Sequence, residues 1–190
     1  MKKIIGYSIV AFAITAASCN NGDENKTDSK EVAKDQNDKK FDSTNTEGDA
    51  KFAVTAADGG MLEVKLGQLA QANGSSAGVK DFGKMMVTDH SKGGDELKAL
   101  AQKYNITIPA ALSNDAQKTY DELAAKKGAD FDKAYTKDMI DDHEEDIKLF
   151  QKEANDGNNG DLKTWASATL PTLQHHLDAI KSLQETTKNK

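Results

Sequence analysis

The pattern of apolar and polar residues divides the chain into three parts. An unbroken apolar run occupies residues 4–17, a strongly polar stretch occupies 20–50, and from residue 51 onward apolar residues recur at three- and four-residue spacing. That last spacing is typical of amphipathic α-helices. It predicts four long helices, at about 52–72, 77–104, 130–154 and 161–186, and a short helix from about residue 114 to 128.

Turn-forming residues separate the predicted helices. Asn73-Gly74 is typical of a helix end, and Asn114 with Gln117 has the spacing of a capping box. Because short connections join the long helices, we predict an all-α fold. Its architecture is expected to be an antiparallel up-down-up-down four-helix bundle over residues 51–187, with the short extra helix between helices two and three.

Each long helix carries one ionisable residue in the middle of its apolar face. These residues are Glu63, His90, His143 and His176. Each lies near the midpoint of its helix, and the midpoints of antiparallel helices of similar length meet at a common level. We therefore expect the four side chains to converge. His175 falls about 100° from its neighbour and is expected to face outward.

A convergent group of this kind has two interpretations, because burying each polar side chain alone would be costly. The four residues bind a metal ion or small ligand, or they form a hydrogen-bonded polar layer without one. Three histidines and one carboxylate suit a single zinc, iron, copper or nickel ion. Val87, Ile140 and Leu173 stand three residues before the core histidines, so the Glu-x-x-His pattern of di-iron helices is missing.

Two aspartates directly precede core histidines, Asp89 before His90 and Asp142 before His143. Both fall about 100° off the apolar face, which favours surface charges. The alternative is that these carboxylates orient the metal-binding histidines or add ligands.

The N-terminus resembles a bacterial lipoprotein signal peptide. Lys2 and Lys3 precede the apolar run, and small residues lead to Cys19. The run is shorter than the roughly 20 residues of a spanning helix. We expect residues 1–18 to be removed and Cys19 to be lipidated, with ordinary secretion as the alternative. Residues 19–50 have few apolar side chains and are predicted to form a disordered tether.

Charge narrows the range of partners. The net charge is −6 and the chain has no arginine, which disfavours nucleic acid as a partner. The single cysteine excludes an internal disulfide. The predicted partner is a membrane, reached through lipid on Cys19, and protein partners stay open. The expected location is the cell envelope, on the periplasmic face of the outer membrane or at the cell surface.

Four segments together resemble a known family. They are FAVTAADGGMLEVKLGQLA, FGKMMVTDH, FDKAYTKDMIDDHEEDIKLF and ASATLPTLQHHL, within about residues 52–183. The chain resembles the bacterial ferritin-like family called domain of unknown function 4142, whose members are commonly described as outer-membrane proteins. The resemblance implies a ferritin-like helical bundle in the envelope, with Glu63, His90, His143 and His176 at motif positions. It implies no activity.

Two functions are consistent with these features. The first is an envelope-tethered lipoprotein that binds a metal ion or small ligand in its core, for storage, buffering or sensing. The alternative is a structural or stress-related interaction protein whose core polar residues only hydrogen-bond to one another. The sequence shows no Ser-His-Asp spacing and no phosphate-binding loop. It therefore favours a role without catalysis and leaves enzymatic activity open.

Overall fold

The computed structural model describes residues 28–42 and 44–188. Within these ranges the chain forms six helices and no strand of a sheet. They are α1 (Ser29–Phe41), α2 (Glu47–Asn73), α3 (Ala77–Lys103), α4 (Asn114–Ala124), α5 (Gly128–Asp156) and α6 (Gly160–Lys188). The expected signal peptide, residues 1–18, and Cys19 lie outside the described residues. None of the described helices is both long enough and apolar enough to cross a membrane.

The four long helices are those that the apolar periodicity predicts, within a few residues. Helix α6 continues through Pro171. The short helix α4 has a different cap from the predicted one. The Ser113 hydroxyl accepts a hydrogen bond from the Ala116 amide at 3.2 Å, and Asn114 is the first helical residue. Serine is a preferred residue at this position, so the cap lies one residue earlier than the capping-box spacing indicated.

The direction of the helices corrects the predicted up-down-up-down order. At one end, Asp132 near the start of α5 accepts a hydrogen bond from the Ser76 amide at the start of α3. At the other end, Asp49 near the start of α2 accepts from the Asn158 amide just before α6. Helices α3 and α5 therefore run in the same direction, and α2 and α6 run in the opposite one. The order is up-down-down-up.

The connection that contains α4 explains this order. Residues 104–127 separate α3 from α5, and α4 packs along α2. The Asn73 side chain at the end of α2 donates to the Lys126 carbonyl at 3.1 Å, just after α4. The connection thus returns the chain to the end of the molecule at which α3 began. A connection of this length crosses the fold, whereas a short turn would have made α3 and α5 antiparallel.

The predicted disordered tether differs from the structure over residues 28–42 and 44–50. Helix α1 lies within that stretch and packs on α2. Its polar side chains attach it to the connection after α3. Asn37 donates to the Thr107 carbonyl and accepts from the Thr107 amide, both at 2.7 Å. The Ser29 hydroxyl accepts from the Ala110 amide at 3.0 Å. A low apolar content did not exclude folding, because these hydrogen bonds replace apolar contacts.

Helices α2 and α3 approach each other closely at two glycines. A Cβ atom on Gly67 would lie 2.5 Å from the Gly83 carbonyl oxygen, and one on Gly83 would lie 2.6 Å from the Gly67 carbonyl oxygen. No real Cβ tolerates such distances from backbone atoms, so only glycine permits this crossing. The contact fixes the position of the α2 and α3 segments that carry the candidate site.

Apolar side chains form two clusters, one toward each end of the long helices. The first contains Leu66, Phe82, Met86, Tyr135, Met139 and Ile180, and the second contains Phe52, Ala53, Leu97, Phe150, Leu162 and Leu173, among other residues. On α3, α5 and α6 the residue singled out from the sequence lies between these clusters, and on α2 Glu63 directly follows Leu62, where the first cluster begins. The predicted polar level is therefore a layer between two apolar regions.

Candidate metal centre

The structure brings the four predicted residues together from four helices. Glu63 on α2, His143 on α5 and His176 on α6 are fully buried, and the His90 side chain on α3 is only 11% exposed. The Glu63 carboxylate joins two of the histidines. Its Oε2 lies 2.7 Å from His90 Nδ1, and its Oε1 lies 3.5 Å from His143 Nε2. His175 is exposed, as predicted.

His143 and His176 face each other with nitrogens that both lack a proton when the rings are neutral. His143 Nε2 lies 3.3 Å from His176 Nδ1. His143 Nδ1 lies 3.0 Å from the Met139 carbonyl oxygen, which can only accept, so this nitrogen carries the proton. His176 Nε2 lies 2.9 Å from an Asp89 carboxylate oxygen and carries the proton of its ring. The two opposed nitrogens are therefore both acceptors.

Burial keeps these rings neutral. It lowers the pKa of His143 to about 3, and the neighbouring His90 and His176 rings lower it further. Burial also lowers the pKa of His176 to about 4, against the opposing effect of the Asp89 carboxylate. The pKa of His90 is likewise lowered by burial. At neutral pH the three imidazoles therefore offer lone pairs, the form in which histidine binds metals.

Three carboxyl groups adjoin the histidines, Glu63 fully buried and Asp142 and Asp146 partly buried, and each resists ionisation. Burial, followed by the charge of Asp146, raises the pKa of Glu63 well above its usual range. Burial and the charges of Glu63 and Asp146 raise the pKa of Asp142 in the same way. Burial raises the pKa of Asp146 to about 6. A nearby cation would favour the ionised form of all three.

Asp142 lies deeper than the surface role that the sequence favoured, and Asp89 is partly exposed but also contacts a core histidine. Asp142 Oδ2 is buried. Asp142, Glu63 and His143 each have a possible ligand atom within 4.8 Å of those of the other two. Asp89 contacts His176 on the opposite helix. The Asp89 side chain is still 39% exposed, so its offset of 100° leaves it at the surface while its carboxylate reaches His176, whereas Asp142 is only partly exposed.

The sequence reasoning missed Asp146. It follows His143 by three residues on α5, so it lies on the same side of that helix. Its side chain reaches the cavity beside the centre, together with His90 and His176. The segment Asp142-His143-Glu144-Glu145-Asp146 could have indicated this residue. Asp146 follows Asp142 by four residues and His143 by three, and both spacings place side chains on the same side of a helix.

Two sets of side chains within the described residues have the spacing of metal ligands, and they share a residue. His90, His143 and His176 form one set, and Glu63, Asp142 and His143 form the other, with ligand atoms within 4.8 Å of one another in each. Because His143 Nδ1 already contacts the Met139 carbonyl, only its Nε2 is free for an ion. An ion held by either set would therefore lie at His143 Nε2, and the two sets are compatible with a single ion.

Several atoms of the centre lack a regular hydrogen bond. Among the described residues, neither carboxylate oxygen of Glu63 has a hydrogen bond of ordinary geometry, and neither does His90 Nε2 or Asp142 Oδ2. Leaving a buried polar atom without a partner costs about 1–3 kcal/mol. Glu63 Oε2 still lies 2.7 Å from His90 Nδ1 and the Glu63 and Asp142 carboxyls interact, so His90 Nε2 is the atom of this group that most clearly has room for a further group.

A cavity of about 790 Å³ adjoins the centre. It lies between α2, α3 and α6, with Ile108, Pro109 and Ala110 of the connection after α3 on one wall. Asp89, His90 and His176 form part of its lining. The buried centre is therefore accessible from one side through the cavity.

Comparison with known proteins identifies a family for this chain. A family model described as "Domain of unknown function (DUF4142)" matches residues 33–183. No curated protein and no solved structure matches the chain. The matched range contains Glu63, His90, His143 and His176, and it begins inside helix α1.

Proposed function

The chain belongs to the DUF4142 family, and we propose that it binds one transition-metal ion at the centre formed by Glu63, His90, His143 and His176. Asp142 is close enough to complete the ligand set, Asp146 adds a carboxyl group whose pKa His90 influences, and Asp89 orients His176 from the other side of its ring. Zinc, iron, copper and nickel all accept imidazole and carboxylate ligands.

The observation that carries the proposal is the opposition of two acceptor nitrogens. His143 Nε2 and His176 Nδ1 lie 3.3 Å apart, and each ring holds its proton on the other nitrogen. Two lone pairs at this distance repel each other unless a cation lies between them. For comparison, two nitrogens bound to one tetrahedral zinc at 2.0–2.1 Å lie about 3.3 Å apart.

The charge of the surroundings supports a cation. Glu63, Asp142 and Asp146 adjoin the histidines. Among the described residues, lysines form ion pairs with other acidic residues, such as Lys103 with Asp161. No lysine forms an ion pair with Glu63, Asp142 or Asp146. A divalent ion would compensate the negative charge that ionisation creates here.

The role that fits these features is storage, buffering or sensing of a metal in the cell envelope. The expected signal peptide, residues 1–18, and lipidation of Cys19 would anchor the protein to a membrane, on the periplasmic face of the outer membrane or at the cell surface. The four long helices are interpreted as a ferritin-like bundle, in which a single long crossover connects the two helix pairs. The residues of the centre do not identify a substrate, so the role we propose is not catalytic.

Elemental analysis of the purified full chain tests the proposal. The protein is offered zinc, iron, copper, nickel and manganese in turn, and bound metal is measured after removal of the excess. We expect one equivalent of metal, lost in His176→Ala and retained in His175→Ala, which changes the adjacent exposed histidine. A chain that binds none of these metals would contradict the proposal and leave the hydrogen-bonded polar layer of a structural or stress-related protein.

A further inference from the structure

We infer that the cavity beside the centre binds a small uncharged aromatic molecule, whose nitrogen or oxygen donor meets the centre and whose ring lies against the apolar wall. The donor's role as a metal ligand rests on the proposed function. The binding of the ring is an independent consequence of the shape and lining of the cavity.

The cavity has two chemically different ends. His90, His176 and Asp89 line the end at the centre. Leu97, Phe150 and Trp165 line the other end. Its volume of about 790 Å³ is within the range of about 300–1,000 Å³ of small-molecule sites, which combine apolar walls with a few polar groups. A ligand matching this arrangement has a polar atom at one end and an apolar body.

Glycines on both long walls keep the cavity open. Gly60 on α2 and Gly93 on α3 line it, and a Cβ on either would meet no atom within 4 Å. They differ from Gly67 and Gly83, where a side chain would collide with the neighbouring backbone. A glycine inside a helix is less favourable than alanine. Close helix packing does not require Gly60 and Gly93, and both lie on the cavity wall, where a larger side chain would take up its space.

The lining carries charged side chains of both signs. Glu63, Asp89, Asp95 and Asp146 are accompanied by Lys65 and Lys98, so the lining matches neither an anionic nor a cationic ligand, and an uncharged one avoids repulsion from either set. A planar ring suits the apolar end, because Phe150 and Trp165 already contact each other there, with ring centroids 5.3 Å apart. Aromatic rings pack favourably against such pairs. A metal held by the three histidines and Glu63 would take the donor atom of the ligand at a fifth position, an expansion that zinc sites make.

The probe is 4-phenylimidazole, which has a donor nitrogen and an aromatic body and is uncharged above neutral pH. Trp165 is the single tryptophan of the chain and lines the cavity, so its fluorescence reports occupancy directly. The cobalt-loaded and metal-free forms of the full chain are titrated with the probe and with imidazole, which lacks the aromatic body. We expect the probe to bind the loaded protein at least about tenfold more tightly than imidazole, because the probe also buries an aromatic ring that imidazole lacks.

Two variants fill the cavity, and one serves as a control. Gly60→Leu and Gly93→Leu place a side chain in the cavity while improving helix propensity. Gly48→Leu makes the same change at an exposed helical glycine that does not line it. Circular dichroism shows whether each variant folds. We expect the affinity for the probe to fall about tenfold or more in the first two variants and to stay unchanged in the third.

The outcomes separate this inference from the proposed function. If the Trp165 fluorescence of the metal-free protein responds to the probe and Gly60→Leu and Gly93→Leu lose that response, the result supports binding in the cavity. If the same protein binds no metal at all, the metal proposal is contradicted while the cavity inference stands. A protein that binds cobalt but shows no preference for the probe over imidazole overturns the inference and leaves the metal proposal standing. Equal affinity of folded Gly60→Leu, Gly93→Leu and Gly48→Leu would also overturn it.

Discussion

Asp89 on α3 contacts His176 on α6 through its carboxylate, with Asp89 Oδ2 lying 2.9 Å from His176 Nε2. The two residues are far apart in the sequence and lie on helices that run in opposite directions. The contact fixes which nitrogen of His176 carries the proton, and it directs the other nitrogen toward His143. A carboxylate in this position determines both the orientation of the ring and its strength as a metal ligand.

Replacing Asp89 should therefore weaken metal binding without removing a ligand. We expect Asp89→Ala to reduce the affinity for zinc by about 10–100-fold, the usual effect of losing a carboxylate that orients a ligating histidine. The measurement is a competitive zinc titration of the full chain. Asp81→Ala, an exposed aspartate on the same helix, is the matched control and should bind zinc like the wild type. Equal affinities of both variants would show that Asp89 does not support the centre.

The close approach of α2 and α3 predicts opposite effects of alanine at two glycines. Gly67→Ala should lower the free energy of unfolding by about 1–3 kcal/mol, because its Cβ would collide with the Gly83 carbonyl and the helices would have to separate. Gly93→Ala should raise it by up to about 1 kcal/mol, since the added methyl group meets no atom and alanine favours the helix. Chemical denaturation of both variants gives the two values. A stabilised Gly67→Ala would mean that the helices cross less closely than described.

Glu153 should make stability depend on pH. It is buried on α5 beside Asp49 of α2, with Lys152 and Lys163 nearby. Burial, followed by the charge of Asp49, raises the pKa of Glu153 from 4.5 to about 7. Between these values the folded protein keeps a proton that the unfolded chain has released. The resulting stability is fully present below about pH 4.5 and is lost as the pH rises through about 7.

The variant Glu153→Gln cannot ionise and should not lose this contribution. Relative to the wild type, we expect it to gain thermal stability between about pH 5 and about pH 8. Glu122→Gln, which changes an exposed glutamate on α4, is the control and should follow the wild type across the same range. A constant difference between wild type and Glu153→Gln at all pH values would contradict a raised pKa at Glu153.

Helix α1 should contribute to global stability through Asn37. The Asn37→Ala variant removes both hydrogen bonds to Thr107, leaving a partly buried amide and carbonyl without partners. We expect a loss of about 1–3 kcal/mol in the free energy of unfolding. Asp35→Ala, exposed on the same helix, should change it little. A similar unfolding free energy for wild type and Asn37→Ala would show that α1 unfolds separately from the rest of the chain.

The sequence was sufficient for the long helices because apolar periodicity follows directly from helix geometry. It also identified Glu63, His90, His143 and His176, since a polar residue inside an apolar stripe is visible without a structure. Their common level was predictable because a residue near the midpoint of a helix stays there whichever way the helix runs. That insensitivity explains why the four residues converge although the predicted order of helix directions is wrong.

Other features depend on contacts that periodicity does not encode. The direction of α5 follows from the course of residues 104–127, which local patterns leave open. Helix α1 is attached through hydrogen bonds of Ser29 and Asn37. A prediction based on the number of apolar residues therefore could not identify it as folded. Asp89 and Asp142 were expected at the surface because a helix considered alone exposes them. In the folded protein Asp142 is partly buried, and Asp89 stays partly exposed while its carboxylate contacts His176 on α6.

Helix α1 also changes where the folding unit begins. Apolar periodicity and composition both place the boundary near residue 51, yet a fragment starting there would lack α1 and the first turn of α2. The amides of Thr107, Ala110 and Asn114 would lose their acceptors on Asn37, Ser29 and Asp28. Residues 104–127, which connect α3 to α5, would then lose their hydrogen bonds to α1 and to Asp28. The shortest fragment with every one of these contacts starts at Asp28, and expression boundaries chosen from hydrophobicity alone would divide a cooperative unit.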